Sequence, residues 1–407
     1  MDWADTEEQA SFRENVRSFI DDNLPQYYKD KRAWNAVTLE DDWQMDMVHG
    51  SDEAKAAAQE WSDRMSSRNW VAPHWPQEYG GAGLTTMEQF IFNMEMAEAE
   101  APMVGGQGLS LMGPTVLIHG TDEQKERLLA PTLRGEMLWS QGFSEPGAGS
   151  DLASLQTRAV RDGDEYIING QKMWTSTAHK SNWLFGMFRT DPDAPKHRGI
   201  SFMVMPQTNN GISVRPIISM GFEHATNETF FEDVRVPANN VIGEVNRGWY
   251  VGMTLLDFER SNIAGAVETR RRLQSLIDYL HTDAGALKAQ DRVKTARSLI
   301  ADRWIESEVL FNFSFRIISM QASGLVPNYE ASTSKIFSSE LSQRTANTGM
   351  KTFGLYANIW DRAHELTPLD ARFTQLYVHS VVFTIFGGSN EIQRNIIATR
   401  GLALPRS

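Results

Sequence analysis

The segment QGFSEPGAGSD, from Gln141 to Asp151, marks the point at which the texture of the chain changes. It holds one proline and two glycines within five residues, between a region of helical periodicity and a region of strand-like sequence. Glycines let a backbone approach a ligand closely, and Ser144 and Ser150 add hydroxyls beside amides that can donate to an anion or a ring edge. The segment is typical of a ligand-binding loop, although a domain linker can have the same composition.

Before this loop the sequence is mostly helical. Thr6 and Gln9 form a capping-box pattern, and apolar residues then recur on one helical face: Phe12, Val16, Phe19 and Ile20. Further helical patterns, separated by turns with glycine or proline, cover residues 51–69, 86–99 and 122–133. We therefore predict an N-terminal α-helical domain over residues 1–137.

After Leu138 the sequence is rich in β-branched and aromatic residues, punctuated by turn signals such as Asn169-Gly170 and Asn209-Asn210-Gly211. The candidate strands are Glu165 to Ile168, Trp183 to Thr190, Ile200 to Met205, Ile212 to Pro216 and Thr229 to Val236. Short strands at this spacing predict a middle β domain, barrel-like or sandwich-like, over residues 138–247.

Helical periodicity returns near Gly248 and continues to Phe386. The longest candidate helix runs from about Trp249 to about His281. Residues 248–407 are therefore predicted to form a C-terminal helical bundle domain. The succession of helical, β and helical parts places the chain in the α+β fold class.

The composition excludes several classes of protein. The 407 residues carry a net charge of −13 with a pI near 5.2, which gives no electrostatic footprint for nucleic acid, since surfaces that bind it are usually basic. It contains no cysteine, and its nine histidines show no metal-binding spacing such as HExxH. The acidic N-terminus and the lack of an 18-residue apolar run predict a cytoplasmic protein without a membrane span.

Six landmarks, in this order along the chain, resemble those of the acyl-CoA dehydrogenase family. They are WPQEYGG at 75–81, GTDEQK at 120–125, SEPGAGSD at 144–151, NGQKMWTS at 169–176, FEDVRVP at 231–237 and GGSNEIQR at 387–394. The resemblance spans nearly the whole chain. It implies an N-terminal helical domain, a middle β domain and a C-terminal four-helix bundle, with FAD bound between the last two.

The resemblance also assigns residues around the first loop to the flavin. Phe143, Ser144 and Gly149 would contact the flavin, and Ser150 would lie near both the FAD and the CoA moieties. All four positions fall in or beside the SEPGAGSD landmark. This match favours a ligand-binding loop over a domain linker.

In the NGQKMWTS landmark, the resemblance implies that Trp174 flanks the isoalloxazine ring and that Ser176 hydrogen-bonds to it. A tryptophan in a β domain usually packs in the core, because its large apolar surface is best buried. The position of Trp174 within the landmark nevertheless favours contact with the flavin.

At the C-terminal landmark, Ser389 and Glu391 match positions that contact FAD in the family. Asn390 and Gln393 form a second capping-box pattern, which predicts a helix start with amides free for the adenosine or pyrophosphate of FAD. Glu391 also has a simpler interpretation, an acidic residue that stabilises the first turn of a helix.

The stretch LLDFER, from Leu255 to Arg260, resembles the substrate-lining helix of the family. Asp257 and Arg260 would contact the CoA, and their i, i+3 spacing makes them neighbours on a helix surface. An isolated pair of this kind is usually a solvated salt bridge that contributes little. The match to the family favours CoA recognition.

The catalytic base is missing from its most common position in the family. Many members carry a glutamate immediately before the glycine of the closing EGT, and that position is Gly387 here. The Gly387 amide can still donate to the thioester carbonyl. In some members, including isovaleryl-CoA dehydrogenases, the base lies just before the CoA-binding arginine, and Glu259 occupies that position. We predict that Glu259 is the catalytic base, the alternative being a helix-surface glutamate.

Two further departures concern FAD contacts across a subunit interface. The R-x-F-G stretch of the family is absent after Tyr279, and its glutamine and Gly-Gly element is reduced to MKTFG at residues 350–354. Because the family builds its FAD sites at subunit interfaces, we expect a homo-oligomer, dimer or tetramer, or a heteromer with a related chain.

The resemblance implies α,β-dehydrogenation of an acyl-CoA thioester to the 2-enoyl-CoA, with FAD as cofactor and an electron-transfer flavoprotein as acceptor. Two alternatives keep the fold: a flavin-dependent oxidase or monooxygenase, and a non-catalytic subunit of a heteromeric acyl-CoA dehydrogenase. The sequence is similar to bacterial members that act on bulky or branched acyl-CoAs. The acyl group itself depends on pocket shape, which motifs do not reveal.

Overall fold

The computed structural model describes residues 4–31, 42–257 and 263–405. The helices of the N-terminal part are α1 (Glu7–Asn23), α2 (Gln26–Lys31), α3 (Trp43–His49), α4 (Asp52–Ser66), α5 (Thr86–Glu98), α6 (Gly113–His119) and α7 (Asp122–Leu133). The capping box predicted for α1 is present, since Gln9 N donates to Thr6 Oγ1 at 3.2 Å and Thr6 N donates to Gln9 Oε1 at 3.0 Å. Val16, Phe19 and Ile20 are buried along the predicted face.

The middle part is built on one eight-stranded sheet. Its strands are β1 (Trp139–Gly142), β2 (Arg158–Asp162), β3 (Glu165–Lys172), β4 (Trp183–Arg189), β5 (Ile200–Pro206), β6 (Ile212–Ile217), β7 (Thr226–Pro237) and β8 (Val241–Ile242). The strand order is β6-β7-β3-β2-β4-β5-β8, with β1 paired to β4. The pairs of β4 with β1 and with β2 are parallel, and the other pairs are antiparallel.

Strands β4 and β5 are buried on both faces, which explains their almost continuous apolar sequences. Alternate residues point to opposite faces of a strand, so each strand contributes to two hydrophobic cores. One core lies within the β domain and includes Leu184, Phe188, Met203 and Met205. The other is shared with the N-terminal helices and includes Phe185, Met187, Phe202 and Val204.

The prediction of a turn at Asn169-Gly170 is wrong, because both residues lie inside β3. The register of β3 with β7 shifts between Ile168 and Gly170, which is the mark of a bulge. Gly170 has φ +145°, and a Cβ there would lie 2.8 Å from the Cα of Thr157. The glycine therefore permits close packing within the sheet. The turn predicted at 209–211 is confirmed between β5 and β6.

The C-terminal part is helical, as predicted. Its helices are α8 (Gly248–Asp257), α9 (Ile263–Leu280), α10 (Asp283–Ala289), α11 (Val293–Ala322), α12 (Tyr329–Phe353), α13 (Arg372–Phe383) and α14 (Asn390–Ile396). The long helix predicted from about Trp249 to His281 corresponds to α8 and α9, and residues 258–262 lie outside the described residues. The exact domain boundaries stay predictions. No helix within the described ranges combines the length and hydrophobicity that a bilayer crossing would need.

Two of the hydrophobic clusters among the described residues join helices of the C-terminal bundle. The first joins α9, α11 and α12 through Ile263, Ala266, Val267, Leu310, Phe311, Ile318 and Leu341. The second joins α9 to α13 through Leu276, Ala296, Ile300, Phe353 and Phe373. Phe90 of α5 is buried in the first cluster, so the N-terminal helices and the bundle share a core.

Replacing Gly113 should destabilise the N-terminal part. Gly113 begins α6 against the fully buried ring of Trp75, and a Cβ at Gly113 would lie 1.8 Å from Trp75 Cζ2. We expect Gly113→Ala to lower the free energy of unfolding by about 1–3 kcal/mol, because the core has no room for the methyl group. At Gly147 a Cβ would meet no atom within 4 Å, so Gly147→Ala is the matched control. Chemical denaturation of both variants tests this, and equal stabilities would contradict it.

Candidate active site

Two segments that follow different strands of the sheet contact each other. The loop at residues 143–150 follows β1, and the segment at residues 173–176 follows β3. Met173 N donates to the carbonyl oxygen of Ser144 at 2.8 Å. Lys172 Nζ donates to the carbonyl oxygen of Phe143 at 3.1 Å. The structure thus brings together the two landmarks that the sequence analysis assigned to one ligand.

A buried ion pair lies at this junction. Lys172 Nζ is 2.8 Å from Glu145 Oε1, and Glu145 also accepts from the amides of Gln156 at 2.6 Å and Thr157 at 2.9 Å. Burial lowers the pKa of Lys172 to about 8, although the Glu145 carboxylate opposes this shift. Burial alone would raise the pKa of Glu145, but Lys172 and the donors at residues 156 and 157 leave that pKa below its usual value. Both groups are therefore charged at neutral pH.

Trp174 projects from the protein directly after this ion pair. Its side chain is 55% exposed, so the usual core role of a tryptophan does not apply. Its backbone is left-handed, with φ +59°, a conformation that costs a non-glycine residue roughly 1–3 kcal/mol and tends to occur at functional sites. Hydrogen bonds hold the residues on both sides, from Met173 N to Ser144 O at 2.8 Å and from Thr175 N to Asn227 O at 2.9 Å.

Asn227 connects this segment to a stacked pair of histidines. Its Nδ2 donates to Thr175 O at 3.0 Å and lies 3.1 Å from His179 Nδ1, while its Oδ1 lies 2.6 Å from His224 Nε2. The two imidazole rings are 3.9 Å apart. Burial, and to a lesser extent the nearby His224 and Lys180, lowers the pKa of His179 to about 4. His179 is therefore neutral at physiological pH and can accept from Asn227.

The predicted flavin residues of the first loop differ in exposure. Phe143 is buried and packs edge-on against Phe185 and Phe202, with ring centroids 6.0 and 6.1 Å away, so its ring belongs to the core. Ser144, like Ser176 in the second segment, is half-buried. Gly149 and Ser150 are exposed, and a Cβ at Gly149 would meet no atom within 4 Å. Their contacts with a flavin stay predictions.

The landmark GGSNEIQR forms a tight turn before α14. Gly387 and Gly388 have φ +62° and +81°, which glycine adopts without strain. The predicted capping box is wrong, because Ser389 rather than Asn390 is the N-cap and its hydroxyl accepts the capping hydrogen bond. Gln393 Nε2 instead donates to the carbonyl oxygen of Gly387 at 3.1 Å. Gln393 therefore fixes the glycine turn.

Asn390 cannot cap the helix because its side chain is engaged elsewhere. Its Oδ1 accepts from Lys335 Nζ at 3.0 Å and from Ser339 Oγ at 3.1 Å, which anchors α14 to α12. Glu391 is exposed, and hydrogen bonds from its own backbone and from Ser389 lower its pKa. This favours the simpler interpretation of Glu391 as a first-turn acid, and its contact with FAD stays a prediction.

A second buried contact connects the β domain to the helix that precedes the glycine turn. His379 Nδ1 on α13 lies 3.0 Å from Glu223 Oε2, and both side chains are buried. A Cβ at Gly221 would lie 2.3 Å from His379 Nε2, so the loop that joins β6 to β7 packs closely on α13. Because this loop leads into the strand that carries Asn227, segment 173–176 and α13 are both tied to it.

Of the predicted base and CoA ligands, only Asp257 lies within the described residues. Glu259 and Arg260 fall outside the described residues, and Asp257 is the last residue of α8. This helix packs on β4 and β5, since a Cβ at Gly252 would lie 2.8 Å from Met187 Sδ. The roles of Glu259, Arg260 and Asp257 stay predictions.

The residues that hold the junction together were not among the predicted site residues. Glu145 and Lys172 lie inside quoted landmarks, but a contact between residues 27 positions apart has no local spacing that reveals it. A signal does exist in β3, where Lys172 shares the buried positions with Tyr166 and Ile168. A charged residue on the inward face of a strand requires a buried partner. Asn227 likewise shares the buried positions of β7 with Thr229 and Phe231.

The comparisons agree with this architecture. The chain matches three family models in succession, described as the acyl-CoA dehydrogenase N-terminal domain at residues 6–136, middle domain at 140–234 and C-terminal domain at 246–402. The fold and these matches define an oxidoreductase that acts on acyl-CoA. The chain belongs to the acyl-CoA dehydrogenase family, whose members are flavoproteins, and the family resemblance drawn from the sequence is confirmed.

Similar proteins cover the whole length of the chain. It is 34% identical over 401 residues to acyl-CoA dehydrogenase IpdE1 of Mycobacterium tuberculosis, which covers 97% of each chain. Its fold is similar to that of the Tcur3481-Tcur3483 steroid ACAD, with a TM-score of 0.85, 30% identity and 100% coverage of both chains. It is also similar to a chain of the ChsE4-ChsE5 complex from Mycobacterium tuberculosis, with a TM-score of 0.79, 31% identity and 100% coverage of both chains.

The strain at Trp174 predicts an unusual order of stabilities. We expect Trp174→Gly to be more stable than Trp174→Ala by about 1 kcal/mol, because alanine keeps the left-handed strain that glycine relieves. Both variants lose the same exposed ring. Val160 is 59% exposed in β2 without positive φ, so Val160→Gly and Val160→Ala provide the matched control with the ordinary order, alanine above glycine. Equilibrium unfolding measures both pairs, and a more stable alanine variant at position 174 would contradict the strain.

Proposed function

We propose that this chain is an FAD-dependent acyl-CoA dehydrogenase that oxidises the α,β bond of an acyl-CoA thioester to the 2-enoyl-CoA and passes the electrons to an electron-transfer flavoprotein. The observation that carries the proposal is the junction of loop 143–150 with segment 173–176. There an exposed tryptophan, held in a left-handed backbone conformation, adjoins a loop rich in glycine and serine.

The residues at this junction fit an isoalloxazine ring. Trp174 offers a flat apolar face, and the half-buried hydroxyls of Ser144 and Ser176 suit the polar edge of the ring. Added Cβ atoms at Gly149 and Gly387 would meet no atom within 4 Å, so both positions border open space. Bound FAD would supply the hydride acceptor, which no amino-acid side chain provides.

The remaining flavin contacts are proposed from the family match and the exposure of each residue. Phe143 would contribute its backbone, because its ring is part of the core. Ser150, which is exposed, would lie near both FAD and CoA. Ser389 and Glu391 at the start of α14 would face the adenosine or pyrophosphate part of FAD.

We assign the proton chemistry to Glu259, which would remove the α-proton of the substrate. Desolvation by the bound acyl chain would raise the pKa of Glu259 towards neutrality, and the adjacent Arg260 would oppose that rise. Gly387 has no side chain that can act as a base, but its amide can donate to the thioester carbonyl and stabilise the developing enolate. Asp257 and Arg260 would bind the CoA.

We propose that the acyl group is bulky, branched or ring-bearing. Gly387 stands where many family members carry a glutamate, so the side chain that would occupy this position is absent. The open space at Gly387 supports a substrate that is wide near the thioester. One of the similar structures is named a steroid ACAD, which supports a polycyclic group in particular.

We propose that the chain acts in an oligomer, either with itself or with a related chain. Two of the similar structures are named for pairs of chains. The loop that joins β6 to β7 exposes Met220 and Phe222 by 73% and 79%, and the turn after α13 exposes Ile385 and Phe386 by 61% and 52%. Exposed apolar side chains on two elements joined by the Glu223–His379 contact support a subunit interface there.

A flavin-reduction assay tests this proposal. The purified chain, alone and co-expressed with a related chain, is supplied with FAD and then titrated without oxygen against linear, branched and ring-bearing acyl-CoAs. We expect visible flavin absorbance that one class of acyl-CoA bleaches and that an electron-transfer flavoprotein restores. The absence of bound flavin in every combination would reject the proposal, and rapid reoxidation by oxygen would favour the oxidase.

Glu259→Gln should separate binding from chemistry. We expect this variant to retain FAD and to bind acyl-CoA, but to reduce its flavin at least about 10²-fold more slowly, because glutamine cannot accept the α-proton. Stopped-flow absorbance under substrate saturation measures the rate. Glu268→Gln on α9 is the matched control, since Glu268 pairs with Arg272 at 3.0 Å and its side chain is 45% exposed. A near wild-type rate in Glu259→Gln would place the base elsewhere.

A further inference from the structure

Lys172 is a fully buried lysine with three hydrogen-bond acceptors around its ammonium group. Nζ donates to Glu145 Oε1 at 2.8 Å, to Phe143 O at 3.1 Å and to Met187 O at 2.7 Å. An ammonium group has three protons to donate, so these acceptors use its full capacity. A buried cation is tolerated only under this condition. The acceptors lie on the loop after β1 and on β4.

Glu145 extends this set of contacts. Its carboxylate accepts from the amides of Gln156 and Thr157, which precede β2, at 2.6 and 2.9 Å. Its backbone closes a short turn with Ala148, through Glu145 N to Ala148 O at 3.0 Å and Ala148 N to Glu145 O at 3.1 Å. The ion pair with Lys172 therefore connects the end of β3 to the loop after β1 and to the start of β2.

We propose that Lys172 is a positioning residue for the flavin: through Glu145 it fixes loop 143–148 and the Trp174–Ser176 segment relative to each other, so that both can face one bound FAD. The inference rests on the proposed function and names a residue that cannot touch the cofactor, because Lys172 has no exposed surface.

The contacts of Lys172 explain how its replacement would change the position of the proposed flavin residues. Lys172 immediately precedes Met173, whose amide donates to Ser144 O at 2.8 Å, and this hydrogen bond holds one side of the strained Trp174. A neutral residue at position 172 would leave the Glu145 carboxylate buried without its cation. An uncompensated buried charge turns towards water, so we expect the 145–148 turn to move and to carry Ser144 with it.

A role in stability alone is the competing explanation, and the chain offers a matched control for it. Lys180 is also buried, and its Nζ lies 2.7 Å from Asp42 Oδ2. It is only four residues beyond Ser176, but its ion-pair partner is the N-cap of α3 rather than a residue of loop 143–148. The Asp42 side chain is 43% exposed, so Lys180→Met controls for the loss of a buried lysine and not for the loss of a fully buried ion pair. A general need for buried lysine charges predicts similar effects from Lys172→Met and Lys180→Met.

The test compares FAD binding with stability in the assembly in which the wild-type chain binds FAD. Thermal unfolding of the apoproteins, the FAD dissociation constant by flavin fluorescence and the visible spectrum of the bound flavin are measured for wild type, Lys172→Met and Lys180→Met. Glu145→Gln is the second variant, because it keeps the shape of the side chain while removing the charge and one of the two acceptor oxygens. It replaces Lys172→Met if that variant does not fold.

We expect Lys172→Met and Glu145→Gln to weaken FAD binding by about tenfold or more and to shift the flavin absorbance band. Removing the hydrogen bonds that orient the direct ligands of a bound metal has effects of this size. Lys180→Met should lower the unfolding temperature but keep the FAD dissociation constant within about twofold of wild type. Wild-type affinity and spectrum in a folded Lys172→Met or Glu145→Gln variant would overturn the inference. A wild-type chain that binds no FAD would instead reject the proposed function.

Discussion

A lysine ammonium sealed inside a hydrophobic sheet is stable only where each of its protons meets an acceptor, and this requirement organises the centre of the molecule. For Lys172 the acceptors come from the loop after β1 and from β4, and Glu145 adds the amides before β2. The hydrogen bonds that the buried ammonium group requires therefore fix the conformation of this loop. A glycine-rich segment would otherwise sample many conformations, but these contacts fix its backbone before a ligand binds.

The same sheet depends on both helical parts of the chain. Alternate residues of β4 and β5 serve a core inside the β domain and a second core shared with the N-terminal helices. The N-terminal part in turn places Phe90 among the residues of the C-terminal bundle. The buried contact of Glu223 with His379 then joins the β domain to α13. The three parts, as far as the structure describes them, therefore share buried surface and hold one another in place.

Local sequence signals predicted the succession of helices and strands correctly. They failed at positions where tertiary contacts determine the local structure. The capping box at Thr6 and the apolar runs of β4 and β5 depend on near neighbours, and the sequence predicted them correctly. Asn169-Gly170 suits a turn as well as a bulge, and the packing against Thr157 selects the bulge. The cap of α14 moved by one residue because Lys335 and Ser339 occupy the Asn390 side chain. The pairing of Glu145 with Lys172 is non-local and leaves only a charged residue on an inward strand face.

The glycine turn before α14 also determines what a side chain at position 387 would cost. Gly387 has φ +62°, and a Cβ there would meet open space, so sterics alone would admit a larger residue. Any L side chain would nevertheless be held in the left-handed region, at a cost of roughly 1–2 kcal/mol. A carboxylate at this position would have to offset that strain with new contacts, as the hydrogen bonds on both sides of Trp174 do for its left-handed backbone. A side chain placed there for catalysis would therefore lower stability, a trade-off between activity and stability that glycine avoids.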